Sequence, residues 1–506
     1  MKNKRPNIII VCTDQQRTDT LSCYGSDFVS TPGFDRIADE GIKYERAYCT
    51  SAVCTPSRVS LLSGQYVSRH SVWNIGVNTC DDVEMIQHQL GKAGYQTGLI
   101  GKAHLEAYLA PPDMSQESIE GFEKGYGDWV GPYYGFDHVR LALGHVNSGM
   151  TGHYGSWLRE TFTENEIEQF KVLAPLSDEK FGGEPYLSTL PLEYHNSVWT
   201  TKSALDFLDN VEGSEDPFFL FVSYQDPHHP HAIPMDCSPT VTPDRVPCPD
   251  FVEGELEDKP PHFNLAREGK LDGSRFPGPE FPISGQGVGY DFRKVSNSAA
   301  ALGRANYYSM VGIIDAELQR LWAELESRNL FDDTLIIVTT DHGELLGDHG
   351  LWMKGPFHYD QIARIPLMIK PPKGMAVKPD NGKAVVSMVD LMPVCLNAAG
   401  LSRDSENIDG KDILTETVTD DRAVFVETIQ NWHSLVCKTV VEGNWKLTWY
   451  AWESFGELYD LSSDPREKIN LWEQPELQSK KSELIAKILT MKVETGKSSK
   501  NRISYA

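Results

Sequence analysis

The stretch "NIIIVCTDQQ", residues 7–16, decides how the fold is read. Ile8 to Val11 form an unbroken β-branched run with no polar alternation. Such a run reads as a strand buried on both faces, as in a parallel sheet. It ends in Asp14 and Gln15, residues suited to metal ligation and proton chemistry. Three more runs share this design. "YQTGLIGKAH" from Tyr95 ends in Lys102 and His104, and "PFFLFVSYQDPHHPH" from Pro217 ends in Asp226, His228, His229 and His231. "DTLIIVTTDHGE" from Asp333 ends in Asp341 and His342. Helix-like segments at 85–93, 200–208 and 306–326 lie between them. Strand–helix repetition predicts an α/β layered sheet. Ligands bind such sheets outside the carboxyl ends of the strands. Four chemically loaded strand ends therefore predict one site, assembled from distant segments at one edge.

Two stretches rich in Gly, Pro, Tyr and Asp, 111–155 and 236–290, read as long loops around that site. A polar, acidic boundary near 400–417 separates off a tail with strand-like pieces ("RAVFVETI", "HSLVCKTVVE", "NWKLTWYAW") and a charged helix near 475–492. The expected division is a catalytic domain over 1–415 and a small α+β domain over 416–506.

The 506 residues are ample for a large core, and the composition, 40% hydrophobic and 24% charged, is that of a globular protein. The net charge of -25 excludes a broad nucleic-acid footprint, which needs a basic surface. An anionic substrate must then find a local positive pocket inside an acidic shell. Nine cysteines without a CxxC pair read as mostly reduced. The apolar run Ile8 to Cys12 is too short for a signal-peptide core, and no run approaches the roughly 20 residues of a membrane span. The expectation is a cytoplasmic protein, or a periplasmic or secreted one if an export signal preceded this numbering.

The candidate chemistry sits at the strand ends. Asp14, Gln15, Asp341 and His342 form an oxygen-rich donor set suited to a hard divalent cation. Lys102 and His104, two apart, share one face of an extended segment and offer a charge and a proton. Pro227 and Pro230 hold the stretch bearing His228, His229 and His231 out of helix, as a rigid acid–base station. Lys354, in "DHGLWMKGPFHYD", completes the positive side of an anion pocket. Each residue alone has a plainer reading: loop caps for the aspartates, solvated surface for the lysines, an adventitious metal cluster for the histidines.

In "AVCTPSRVSLLSG", residues 52–64, Cys54 and Arg58 open a helix, with Pro56 in its first turn. Helix N-termini bind anions and lower thiol pKa values, and Arg offers a planar fork for sulfate or phosphate. A nucleophilic thiolate is one reading, but thiolates suit softer metals than this donor set.

"CTPSR" followed by "LLSG" resembles the signature of the sulfatase family. The likeness recurs in "NIIIVCTDQQRTDTLSCYG", "GKAH", "PHHP", "TTDHGELLGDHGLWMKG", "GNWKLTWY" and "ELYDLSSDPREKINL", from about Asn7 to Leu471. It implies an alkaline-phosphatase-like fold, a large mixed, mostly parallel sheet flanked by helices, with a smaller C-terminal α+β domain. It implies that a formylglycine-generating enzyme oxidises Cys54 to formylglycine, whose hydrate is the nucleophile. It assigns Asp14, Gln15, Asp341, His342 and an oxygen of modified Cys54 to the metal. Arg58 and Lys102 then hold the diol, His104 serves its proton, and His228 and Lys354 face the sulfate and the leaving oxygen. His229 and His231 take no role.

The chain departs from the Asp-Asp and Asp-Asn ligand pairs of many relatives, with Asp14-Gln15 and Asp341-His342. Both variants occur in a branch with phosphonate monoester hydrolases and choline-sulfatase-like enzymes. The resemblance therefore implies Ca²⁺, with Mn²⁺ or Mg²⁺ as alternatives. It leaves open a sulfate monoester, such as a sulfated carbohydrate, or a phosphonate monoester or phosphodiester as substrate. A non-catalytic anion- or metal-binding protein is the reading from another class. Oligomeric state has no signal in the sequence, and neither a nucleic-acid nor a membrane partner is expected.

Overall fold

The computed structural model describes residues 5–145, 149–271, 290–378, 382–403, 406–429, 435–491 and 503. Its centre is a seven-stranded sheet. In chain order the strands are β1 (Asn7–Thr13), β2 (Ile42–Lys43), β3 (Gln96–Gly101), β4 (His138–Leu143), β5 (Phe218–Ser223), β6 (Thr334–Thr340) and β7 (Leu367–Lys370). Their spatial order is β2-β7-β6-β1-β5-β3-β4. The strands from β6 to β4 run parallel, and β7 and β2 add antiparallel pairs at one edge. All four quoted runs are central strands, and β1 lies at the middle.

The uninterrupted apolar runs follow from burial on both faces. Ile8, Ile10 and Cys12 of β1 join one core with Phe219, Phe221, Leu335 and Ile337. Ile9 and Val11 join the opposite core with Leu220, Val222, Ile336 and Val338. Period-two alternation thus serves two hydrophobic layers rather than one. The first layer is covered by helices α1 (Cys54–Ser63), α2 (Ile86–Lys92) and α5 (Leu391–Ala398). The second is covered by α3 (Asn196–Val211) and the 31-residue α4 (Asn297–Ser327).

The stretch 111–155 is not all loop. It contains the edge strand β4 and the start of the helix Gly152–Arg159. β4 is short and begins with half-exposed His138 and Arg140 alternating with buried Val139 and Leu141, so it lacks the solid apolar run of its neighbours. The stretch 236–290 holds the helix Pro261–Arg267, and its part from 272 to 289 lies outside the described residues.

The tail forms a four-stranded antiparallel sheet, β8 (Ala423–Ile429), β9 (Val436–Glu442), β10 (Trp445–Tyr450) and β11 (Gly456–Asp460), backed by α6 (Gln478–Leu489). Val424, Val426 and Val441 pack into the first core layer, while Val440, Leu447 and Leu458 face α6. Among the described residues no helix is long and apolar enough to cross a membrane.

Candidate active site

The carboxyl ends of β1, β3, β5 and β6 meet at Cys54. Cys54 is the first residue of α1, and Arg58 follows one turn later on the same face. Both are buried, and Arg58 is wholly so. The Arg58 guanidinium donates through Nε to Asp341 Oδ2 at 2.8 Å and through Nη1 to Lys102 O at 3.0 Å and Ser223 Oγ at 2.8 Å. Its Nη2 has no hydrogen-bond partner and lies 3.8 Å from Asp14 Oδ2. One arginine thus ties α1 to the ends of three strands.

Asp14 and Asp341 continue β1 and β6, which pair in register up to Thr13 and Thr340. That register places the two carboxylates side by side. Asp341 Oδ1 accepts from the backbone N–H of Gln15 at 3.0 Å and of His342 at 2.9 Å. His342 Nδ1 lies 2.9 Å from Gly343 O, which can only accept, so Nδ1 holds the proton. His342 Nε2 is left with its lone pair toward Cys54 Sγ at 3.2 Å. One ligand-type atom each from Asp14, Cys54, Asp341 and His342 lies within 4.8 Å of the others. Two buried carboxylates and a bare imidazole nitrogen aimed at one point fit a divalent cation.

β3 ends in Gly101 at φ +99°, where a Cβ would lie 1.9 Å from Ser223 O. Only glycine permits that approach. The turn carries Lys102 into an ion pair with Asp14 and places His104 at φ +57°. The expected extended segment is therefore kinked, and the kink brings both side chains into the site. His104 is 3% exposed, and neither ring nitrogen has a hydrogen-bond partner.

His228 Nδ1 donates to His229 O at 2.6 Å, so its Nε2 is free to accept from Lys354 Nζ at 2.9 Å. Lys354 Nζ also donates to Gln15 Oε1 at 2.8 Å and Cys54 Sγ at 3.0 Å, using all three protons. Every residue given a role from the sequence is brought together here.

The electrostatics follow from this packing. Burial and Asp14 push the Cys54 thiol up, but the positive charges beside it, Lys102 and Lys354 foremost, bring it below its ordinary value. Burial opposes the Asp14 charge, and Lys102, Arg58 and Lys354 overcome it, holding the carboxyl well below its usual range. Burial first, then neighbouring cations, holds His104 and His228 well below the ordinary imidazole value, so both are neutral. The three cations Arg58, Lys102 and Lys354 form the positive pocket that an acidic shell required.

Four residues without an assigned role also belong to the site. His145 lies flat on His228 and 3.2 Å from Lys102 Nζ. His229 also stacks on His228, with ring centroids 4.0 Å apart. Glu344 meets the Gln15 amide. Glu117 accepts from the backbone N–H groups of His104, Leu105 and Glu106. Of Glu344, Glu117 and His145, only Glu344 has a sequence signal, its place in the same "DHGE" as two metal-type residues. The aromatic stretch 129–134 and Trp157 largely pack on one another: Trp129 on Tyr133 and His153, Trp157 on Tyr154 and Tyr194.

Comparison with known proteins agrees with this geometry. The family model described as Sulfatase matches residues 6–401, and one described as N-sulphoglucosamine sulphohydrolase, C-terminal, matches 347–494. The chain is 27% identical over 480 residues to the uncharacterized sulfatase YidJ of Escherichia coli (strain K12), covering 92% of this chain and 83% of the relative. It is 25% identical over 516 residues to an N-acetylglucosamine-6-O-sulfatase of Bacteroides thetaiotaomicron, covering 96% and 86%. Among solved structures, the phosphonate monoester hydrolase SpPMH from Silicibacter pomeroyi superposes with a TM-score of 0.75 at 24% identity, covering 96% and 94%. That likeness is one of fold, the alkaline-phosphatase-like α/β architecture. From the strand-end cluster at Cys54 to the match over most of its length, the chain belongs to the sulfatase family.

Proposed function

We propose that this sulfatase hydrolyses a sulfate monoester of a carbohydrate, with Cys54 as the precursor of its nucleophile. The observation behind this reading is the buried Cys54, set between the Asp14/Asp341/His342 cluster and the cations Arg58, Lys102 and Lys354. The N-acetylglucosamine-6-O-sulfatase relative supports the carbohydrate class. Asp14, Gln15, Asp341 and His342 would hold a divalent cation, Ca²⁺ with Mn²⁺ or Mg²⁺ as alternatives, which supplies Lewis-acid charge at the sulfate oxygens. Converted to formylglycine by a formylglycine-generating enzyme, residue 54 supplies a hydrated aldehyde hydroxyl that attacks sulfur in line.

The chain's own residues do the rest. Arg58 and Lys102 balance the carboxylates and present positive charge where the reacting oxygens gather negative charge. Lys354 hands a proton to the departing alcohol oxygen, and His228 Nε2 holds that ammonium in place. Once the alcohol has left, His104, neutral and with both ring nitrogens unpartnered, takes the proton of the second hydroxyl at residue 54, so that the bond to the sulfate oxygen breaks, sulfate leaves and the aldehyde returns. Burial of the whole cluster excludes water and strengthens each of these interactions.

The pairing of Gln15 with His342 in place of acidic and amide ligands favours a second reading, a phosphonate monoester or phosphodiester on the same site. The kcat/KM values of sulfate and phosphonate esters sharing one leaving group decide between them, beside a desulfation screen on defined sulfated saccharides. Release of sulfate from none of the saccharides, with turnover of the phosphonate, would replace the first reading by the second. We assign the catalytic unit to residues 1–415 and the smaller unit to 416–506, in line with the antiparallel sheet that begins at Ala423.

A further inference from the structure

Gln15 differs from the aspartates of the donor set in that its two terminal atoms are chemically opposite. Its Oε1 can face a cation and its Nε2 repels one. An aspartate at this position would need no outside help, because both its ends are oxygens.

The surroundings of Gln15 decide the question. Nε2 donates to Glu344 Oε2 and lies 3.3 Å from His229 Nδ1, while Oε1 accepts from Lys354 Nζ at 2.8 Å. The backbone is pinned as well. Gln15 sits at φ +64°, its N–H bonded to Asp341 Oδ1 at 3.0 Å and its carbonyl accepting from Tyr307 Oη at 2.5 Å. Glu344 is 1% exposed and acts as an acceptor at both ends, since its Oε1 takes the Leu346 N–H at 3.0 Å. A carboxylate satisfies both donors. A glutamine at 344 cannot, because its NH₂ must face either the Leu346 N–H or the Gln15 NH₂.

We infer that Glu344 is a positioning residue that locks the Gln15 amide with Oε1 toward the metal pocket, so that a neutral side chain serves there as a reliable donor. This rests on the metal reading of Asp14, Gln15, Asp341 and His342 given above. Outer partners of metal ligands fix ligand orientation in this way.

The test is calorimetric titration of metal-stripped protein with CaCl₂ and with MnCl₂, for wild type, E344Q, Q15E and the swapped pair Q15E/E344Q. Melting curves of the metal-free proteins serve as the fold control. E344Q is expected to bind the cation roughly 10–100-fold more weakly. In the swapped pair the amide introduced at position 344 can donate to the carboxylate introduced at position 15, while its oxygen keeps the Leu346 N–H. Binding then returns to the wild-type level or above. Wild-type affinity in E344Q overturns the assignment, as does a swapped pair that binds no better than Q15E. If E344Q does not fold, the swapped pair is judged against Q15E, which has the same carboxylate at position 15 but no amide facing it: tighter binding by the swapped pair supports the assignment, and equal or weaker binding overturns it. Failure of wild type itself to bind either cation would instead remove the metal reading, and the Glu344 role with it.

Discussion

The His145 ring lies flat on that of His228, with centroids 3.6 Å apart and planes 6° apart. The same ring reaches Lys102 Nζ with Nε2 at 3.2 Å. His145 therefore braces two residues proposed to act on the substrate, from β4's end of the sheet. Replacing it with alanine frees both partners. H145A is expected to lower kcat/KM about tenfold, corresponding to ~1.4 kcal/mol. H145F, which keeps the stack but not the nitrogen, should fall between wild type and H145A. Steady-state kinetics on one sulfate ester check this, and equal losses in both variants would assign the effect to Lys102 rather than to the stack.

Cys54 is predicted to be indispensable in its oxidised form. C54A should show no turnover. C54S keeps one hydroxyl but not the second that expels sulfate, so it should stop at a covalent ester. Intact-mass measurement after incubation with substrate would show one added sulfuryl group on C54S and none on C54A. Sustained multiple turnover by C54S would defeat the proposed role.

Glu117 is predicted to hold the His104 loop. Its Oε2 accepts from His104 N at 2.9 Å, and its Oε1 from Leu105 N at 2.7 Å, Glu106 N at 2.9 Å and Tyr133 Oη at 2.6 Å. Without it, buried donors lose their acceptor and the left-handed backbone at His104 loses its restraint. E117A should cost about 2–4 kcal/mol in urea melts. Its kcat should fall at least about tenfold while KM changes little, because proton transfer at His104, not substrate binding, is disturbed. A change in KM alone would contradict this.

Asp348 gives a pH prediction away from the reacting atoms. Burial raises its carboxyl pKa, but Arg17 and Arg304 more than reverse this, bringing it from the ordinary 3.8 to about 2. Arg17 Nη2 lies 2.7 Å from Oδ2 and Arg304 Nη1 3.2 Å from Oδ1. A folded-state pKa below the unfolded one means stability that is complete above the unfolded value and is lost as pH falls toward 2. D348N should therefore cost at least about 2 kcal/mol near neutral pH. The gap between wild-type and variant melting temperatures should narrow as pH falls from about 4 toward 2. A gap that stays constant over that range would show that the ion pairs contribute no pH-dependent stability.

Much of this molecule was legible in its residues. The unbroken run Ile8 to Val11 announced a strand buried on both faces, because only a sheet covered on both sides leaves no polar position in its strands. The chemistry at the ends of β1, β3, β5 and β6 was visible for the same reason: strand ends are where such sheets expose functional groups. The small C-terminal sheet was legible in its strand-like pieces. β4 was hidden because a half-exposed edge strand resembles loop sequence, and Glu117 and His145 were hidden because neither has a motif.

The sequence by itself determined which residue types stand at the strand ends and, through "CTPSR" and its companions, the family. Only the tertiary structure decided what each of them touches. Gln15 and Glu344 are 329 residues apart, and Arg58 and Asp341 are 283 apart. No local spacing predicts such pairings, because they follow from the β1–β6 register and from where α1 sits on the sheet. Propensity and periodicity act over one element at a time, whereas the orientation of an amide or the tautomer of a histidine depends on every neighbour that packing brings to it.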